Sequence, residues 1–162
     1  MDLLLCVIRM RVYHAHPMCT YQSPREDRER DAIKNHFPEH EIVNPGTYEY
    51  TPEKREREMD YCRDLVKTCQ TLTFSRLYGH VSSGVGTEIE TALSAGIPVY
   101  ELDEQSVGKR VTRMPRVISR EKTNEFGRKL NRENVSYRRV TPVRLRPVGL
   151  SAARRTHLSP CR

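Results

Sequence analysis

The feature that most constrains this chain is the alternation of short apolar runs with helix-length segments. Residues 10–15, Glu41-Ile42-Val43-Asn44-Pro45 (ended by its proline), Thr71-Leu72-Thr73-Phe74-Ser75 and Val99-Tyr100-Glu101-Leu102 read as four strands. The stretches between them are too long for hairpins. Parallel neighbours cannot be joined by a tight turn, so this alternation predicts right-handed crossovers and a mostly parallel sheet. The expected fold is α/β, a Rossmann-like (flavodoxin-like) three-layer arrangement.

Local signals set the expected helices. Ser23-Pro24-Arg25-Glu26 combines an N-cap, a proline at the first helical position and a reciprocating glutamate, which predicts a helix from Pro24 to His36. Its charges, from Arg25 to Asp31, are expected on a solvated face, with Ala32, Ile33 and Phe37 turned inward. Thr51-Pro52-Glu53 opens a second helix with the core stripe Met59, Cys62, Val66 and Cys69. Residues 78–86 are expected as a loop, followed by a helix from Thr87 to Ala95 that stops at Gly96 and Pro98. Ser119 can cap a last helix reaching about Leu130.

The 162 residues suit one domain, and charge divides them unevenly. Residues 107–162 hold 16 Lys and Arg against 3 Asp and Glu, whereas residues 1–106 hold 12 against 18. Basic character therefore belongs to the C-terminal third rather than to the core. We divide the chain into residues 1–9, an extension or mis-called start ahead of Met10; residues 10–130, the folded domain; and residues 131–162, a basic tail expected to be disordered. The run Leu3–Ile8 is far shorter than the roughly 20 apolar residues that span a bilayer, and no small-residue cleavage site follows it. Five cysteines without zinc-ligand spacing fit reduced, mostly buried thiols. The expectation is a cytoplasmic protein with no membrane partner, no cofactor and no metal. Although His14 and His16 alternate on one strand, they lack a third ligand.

In open parallel sheets ligands bind beyond the carboxyl ends of the strands, here the loops starting near His16, Asn44 and Leu77. The segment Ser82-Ser83-Gly84-Val85-Gly86-Thr87-Glu88-Ile89-Glu90 runs from a glycine-rich loop into a helix. Free amides and the positive end of a helix dipole suit a phosphate there. Thr87 and Glu90 have capping-box spacing, which gives Glu90 a structural task. Glu88 has no such task and sits in the expected first turn, where the dipole favours its ionised form. It is the candidate nucleophile.

Tyr13 at the end of the first strand, an acidic second helix, and Ser82-x-Gly84-Val85-Gly86-x-Glu88 followed by Ala92-x-x-Ala95-Gly96-x-Pro98-Val99 together resemble the nucleoside 2-deoxyribosyltransferase superfamily. The likeness covers about residues 11–102, and the 2′-deoxynucleoside 5′-monophosphate N-hydrolase branch is the nearest in pattern. It implies cleavage or transfer at the N-glycosidic bond of a nucleoside or its 5′-monophosphate. Glu88 would attack the anomeric carbon and Tyr13 would hold its carboxylate. Ser82, Ser83, Gly84 and Gly86 would cradle a 5′-phosphate, with His16 in the substrate set. An aspartate of the second helix would lie near the sugar or base, with Asp60 preferred to Asp64 because it is closer to the helix start. Two positions depart from the family pattern. His16-Pro17 replaces a small residue, and Gln70 replaces an acidic one. The resemblance also implies a homodimer.

Other readings compete. Gly84-x-Gly86-Thr87-x-x-Glu90 is similar to lysine-decarboxylase-like phosphoribohydrolases, in which Glu90 would be catalytic. A non-catalytic nucleotide sensor needs only the loop and the helix terminus. The basic tail is a candidate contact for nucleic acid. Tyr21, Tyr48, Tyr50 and Tyr78 are candidates to stack on a base.

Overall fold

The computed structural model describes residues 9–47 and 57–140. They form an α/β fold around one five-stranded, mostly parallel sheet, an arrangement compatible with a Rossmann-like fold. In chain order the elements are β1 (Arg11–Ala15), α1 (Pro24–His36), β2 (Glu41–Val43), α2 (Glu58–Lys67), β3 (Thr71–Phe74), α3 (Ser83–Ser94), β4 (Val99–Leu102), β5 (Val107–Val111) and α4 (Arg120–Val140). The sheet order is β2-β1-β3-β4-β5. The first four strands pair in parallel, with Tyr13 opposite Val43 on one side and Leu72 on the other.

The fifth strand, which the sequence pattern did not predict, is antiparallel to β4. The Asp103 side chain accepts hydrogen bonds from the Gln105 and Ser106 amides at 2.7 and 2.6 Å, and this side-chain turn reverses the chain tightly. Its exposed Lys109 and Arg110 lie on the edge strand, where charge discourages pairing with another sheet.

Alternate residues of β1 enter different cores. Tyr13 and Ala15 join Val66, Leu72, Phe74, Val85, Ile89 and Ala92, whereas Val12 joins Ala32, Ile33 and Leu102. Period-two alternation of a strand thus separates the α2 and α3 side of the sheet from the α1 side.

The first helix has the expected bounds. Ser23 caps it by accepting from the Glu26 amide at 3.3 Å, and Pro24 stands at the first helical position. Its charges are not all solvated, however. Glu26 and Glu29 are buried. Glu26 accepts from the Gln22 amide and the Asn44 side-chain amide. The carboxylate of Glu29 takes His14 Nε2 at 3.0 Å and Arg25 Nε at 2.7 Å. Burial alone would raise the Glu29 carboxyl, but the hydrogen bonds and charges of His14 and Arg25 outweigh it and hold the group below the usual carboxylate range. Buried charge is tolerated here because it is paired.

The expected opening of the second helix at Thr51-Pro52 lies outside the described residues, as do Tyr48, Tyr50 and residues 1–8. Of its expected core stripe, Cys62, Val66 and Cys69 are buried, and Met59 is half-buried. The last helix continues to Val140, ten residues beyond Leu130, so the expected tail begins with helix. The rest of that tail lies outside the described residues. Among the described residues no helix is long and apolar enough to cross a membrane.

Candidate active site

The start of α3 departs most from expectation. Ser82 is the N-cap, in extended backbone, and the helix begins at Ser83 rather than Thr87. Gly84 and Gly86 are therefore first-turn residues, not a loop, and neither has positive φ. The Gly86 amide already bonds the Ser82 carbonyl at 2.8 Å. A side chain on Gly86 would meet Val117 Cγ1 at 2.6 Å, so this glycine permits close packing and does not line the cavity below.

The shift removes the expected capping box. Thr87 lies inside the helix and its hydroxyl bonds the Ser83 carbonyl at 3.2 Å, while Glu90 is exposed. Glu88 is likewise no longer in the first turn. It shares the inward face with Val85, Ile89 and Ala92, at the helical spacing that buries them, and is itself only 5 % exposed.

There Glu88 meets Tyr13. The tyrosine hydroxyl donates to Glu88 Oε1 at 2.7 Å, between β1 and α3, and Tyr13 is fully buried. Burial raises the Glu88 carboxyl to about 7; hydrogen bonds from Tyr13 and Cys62 act against the rise, and the charge of Glu58 adds to it. The expectation that the helix dipole keeps Glu88 ionised is thus overturned by desolvation. Burial and then the Glu88 charge hold the Tyr13 phenol firmly protonated. The same two causes raise the Cys62 thiol to about 12. The outcome is one carboxyl poised near neutrality and held by two protonated donors.

Glu88 borders a cavity of about 630 Å³, the size of a small-molecule site. Ser82, Ser83 and Gly84 line it, and so does His16. His16 is buried, stacks on His14 with ring centroids 4.0 Å apart, and has its own Tyr21 neighbour at 4.7 Å. Burial and then the neighbouring His14 depress it to about 3, so it stays neutral although Nε2 is 3.7 Å from Glu26. Its Nε2 has no hydrogen-bond partner among the described residues.

Asp60 does not reach the cavity. It is exposed and pairs with Arg63 at 3.4 Å and Arg57 at 3.9 Å. Asp64 is more exposed still and pairs with Lys67. The α2 carboxylate that lines the cavity is Glu58, half-buried and one helical position before Met59. Of the candidate aromatic residues, Tyr21 lines the cavity, whereas Tyr78 packs on Phe126 and donates to Glu133. Among the described residues no group of three His, Cys, Asp or Glu side chains is arranged to hold a metal ion.

The largest omission of sequence reasoning is α4. Arg120, Thr123, Asn124, Gly127, Arg128 and Asn131 also line the cavity. Thr123 Oγ1 accepts from the Ser83 amide at 3.0 Å, and Ile118 N bonds the Val81 carbonyl at 3.0 Å, so the start of α4 is tied to the start of α3. The available signal was a polar stripe at helical spacing within a helix that also carries Phe126 and Leu130.

The chain matches no family model, no curated protein and no solved structure.

Proposed function

We propose that this chain cleaves or transfers at the N-glycosidic bond of a nucleoside or its 5′-monophosphate, with Glu88 as nucleophile. The observation that carries the reading is the buried Tyr13–Glu88 hydrogen bond of 2.7 Å at the edge of a cavity sized for such a ligand. A desolvated carboxylate is a stronger nucleophile than a hydrated one, and a group titrating near neutrality is available at ordinary pH.

In this mechanism a Glu88 oxygen attacks the anomeric carbon as the bond to the base nitrogen breaks. The bonding electrons leave with the base, which takes up a proton. Tyr13 keeps the attacking oxygen in one rotamer and remains protonated throughout. Glu58 lines the same cavity, and the proton taken up by the leaving base comes from solvent water. Water or a second base then displaces Glu88 from the sugar and regenerates the carboxylate. The reading keeps the likeness to the nucleoside 2-deoxyribosyltransferase superfamily and its three-layer fold, replaces Asp60 by Glu58, and moves the glycines from phosphate cradle to helix packing and cavity wall. The alternative based on Glu90 gains no support, since that side chain is exposed and outside the cavity lining.

The test is incubation of the full chain with a panel of nucleosides and 5′-monophosphates, with and without an acceptor base, followed by chromatographic resolution of free bases. Wild type should release base and Glu88→Gln should not. Release unaffected by Glu88→Gln, or no release from any member of the panel, overturns the reading.

A further inference from the structure

Residues 105–120 carry Lys109, Arg110, Arg113, Arg116 and Arg120 and no acidic residue. All five cations are exposed, and among the described residues none of them forms a hydrogen bond or ion pair. By contrast, Arg11, Arg25, Arg28, Arg63, Lys67 and Arg76 each meet a carboxylate. Residues 1–106 are acidic as a whole, with 12 Lys and Arg against 18 Asp and Glu. Free positive charge is therefore concentrated along one stretch of the chain.

That stretch is held against the body. It begins with β5, which pairs with β4 and forms one edge of the sheet. Val111 and Val117 both pack on the core shared with α2 and α3. Val117 also bridges to Val81, and the Ile118 amide bonds the Val81 carbonyl at 3.0 Å. Arg113 and Arg116 thus stand on a short segment anchored at both ends. Protection of the sheet edge accounts for part of the charge, since Lys109 and Arg110 keep another strand away. Charge of either sign would do that, however, and Arg113 and Arg116 lie beyond the strand. Crowded like charges repel, so a single sign along this edge is rewarded only by a partner of opposite sign.

We infer that the edge from Lys109 to Arg116 is a docking surface for duplex nucleic acid, gripped through its phosphodiester backbone. Guanidinium forks match phosphate oxygens and stay charged at every working pH. Residues 105–120 include no aromatic side chain on which unpaired bases could stack, so the denser phosphates of a duplex fit better than a single strand. An anionic membrane fits less well. Peripheral membrane binding needs an apolar face as well as charge, and Met114 is the one exposed large apolar side chain of the stretch. Contacts to the backbone position a duplex without reading its sequence, so binding is sequence-independent. The inference does not depend on the proposed catalysis. Residues 135–162 add seven arginines and no acidic residue, so the test isolates the edge from them.

The test is fluorescence anisotropy of the full chain with a labelled mixed-sequence DNA of about 25 nucleotides, as duplex and as single strand, between about 50 and 200 mM salt. Wild type should bind the duplex more tightly, with affinity falling steeply as salt rises. Replacing Lys109, Arg110, Arg113 and Arg116 together by glutamine should weaken duplex binding at least about 100-fold near 100 mM salt and flatten the log–log salt slope by about 3–4. Arg113→Gln with Arg116→Gln, which leaves β5 intact, should remove about half of that slope change. The same four-charge removal on other faces, Lys34→Gln, Arg57→Gln, Arg63→Gln and Lys67→Gln, should cost much less, with circular dichroism confirming the fold of each variant. No duplex binding by wild type, tighter binding to the single strand, or capture by phosphatidylserine vesicles without duplex binding overturns the inference. So does a salt slope that survives loss of the four edge cations, or an equal loss in the control variant. Glu88→Gln should bind duplex as wild type does, so loss of base release and loss of docking are separate outcomes.

Discussion

Replacing Glu88 with glutamine should stabilise the protein while abolishing turnover, and the gain can be worked from the burial of one carboxyl group. Burial moves that group from its ordinary 4.5 to about 7. Between those values the folded chain holds a proton that the unfolded chain has released, so stability falls as pH rises across the window. Above it the folded state carries the full cost of a buried charge, about 3 kcal/mol at about 1.36 kcal/mol per decade. Glutamine is neutral at every pH and its carbonyl oxygen can still accept the Tyr13 hydroxyl. Its amide hydrogens are an offset of about 1 kcal/mol if they meet no acceptor. Glu88→Gln should therefore gain about 1–3 kcal/mol near pH 8, and roughly 2 kcal/mol less near pH 5, where wild type is mostly protonated. Urea unfolding followed by circular dichroism at both pH values measures the difference. If variant and wild type differ by the same amount at the two pH values, Glu88 is not the buried titrating group and the reasoning fails.

The remaining expectations concern turnover and packing. Base release should rise about tenfold per pH unit below about 7 and level off above it, because only the ionised nucleophile attacks; a flat profile from pH 5 to 8 contradicts this. Tyr13→Phe removes the bond that favours the Glu88 carboxylate, so the midpoint of that profile should move upward and kcat should fall more than KM changes. An unmoved midpoint would show that the phenol does not act on Glu88. Gly86→Ala should cost about 1–3 kcal/mol through its clash with Val117, whereas Gly84→Ala, with open space around it, should gain about 0.5–1 kcal/mol; urea midpoints in the reverse order would refute the packing role. Glu29→Ala removes the carboxylate partner of buried His14 and one of the partners of Arg25, which keeps the Arg76 carbonyl and Glu104, and should cost about 1–3 kcal/mol; a loss below about 0.5 kcal/mol would mean the pair does not support the core.

The four parallel strands and the bounds of α1 were legible because strand composition, a proline at the first helical position and a serine cap all point the same way. The start of α3 was not, because two glycines in one turn read as a loop. Each costs about 1 kcal/mol in a helix, yet Val85 and Ile89 anchor that turn in the core and Gly86 admits Val117. The buried position of Glu88 was encoded by its spacing from Val85 and Ala92, a signal hidden while the helix was expected to begin later. Glu58 could not be preferred over Asp60 from the sequence, since which side of α2 faces the cavity depends on how Cys62 and Val66 seat against the sheet. The contribution of α4 was least visible. Its approach to the cavity depends on the bridge between Val81 and Val117 and on Thr123 meeting Ser83, contacts between segments about 40 residues apart.

The two faces of β1 make the phase of that strand a carrier of chemical information. Tyr13 points toward Glu88, while His14, the next residue, points toward Glu29 on α1. A frame shift of one residue within β1 would conserve length, composition and strand propensity, yet it would bring an imidazole to the Glu88 carboxylate and a phenol to Glu29. Point replacements that keep odd and even positions distinct preserve this code, and a single inserted or deleted residue erases it. For protein engineering, β1 is thus a segment to substitute but never to lengthen.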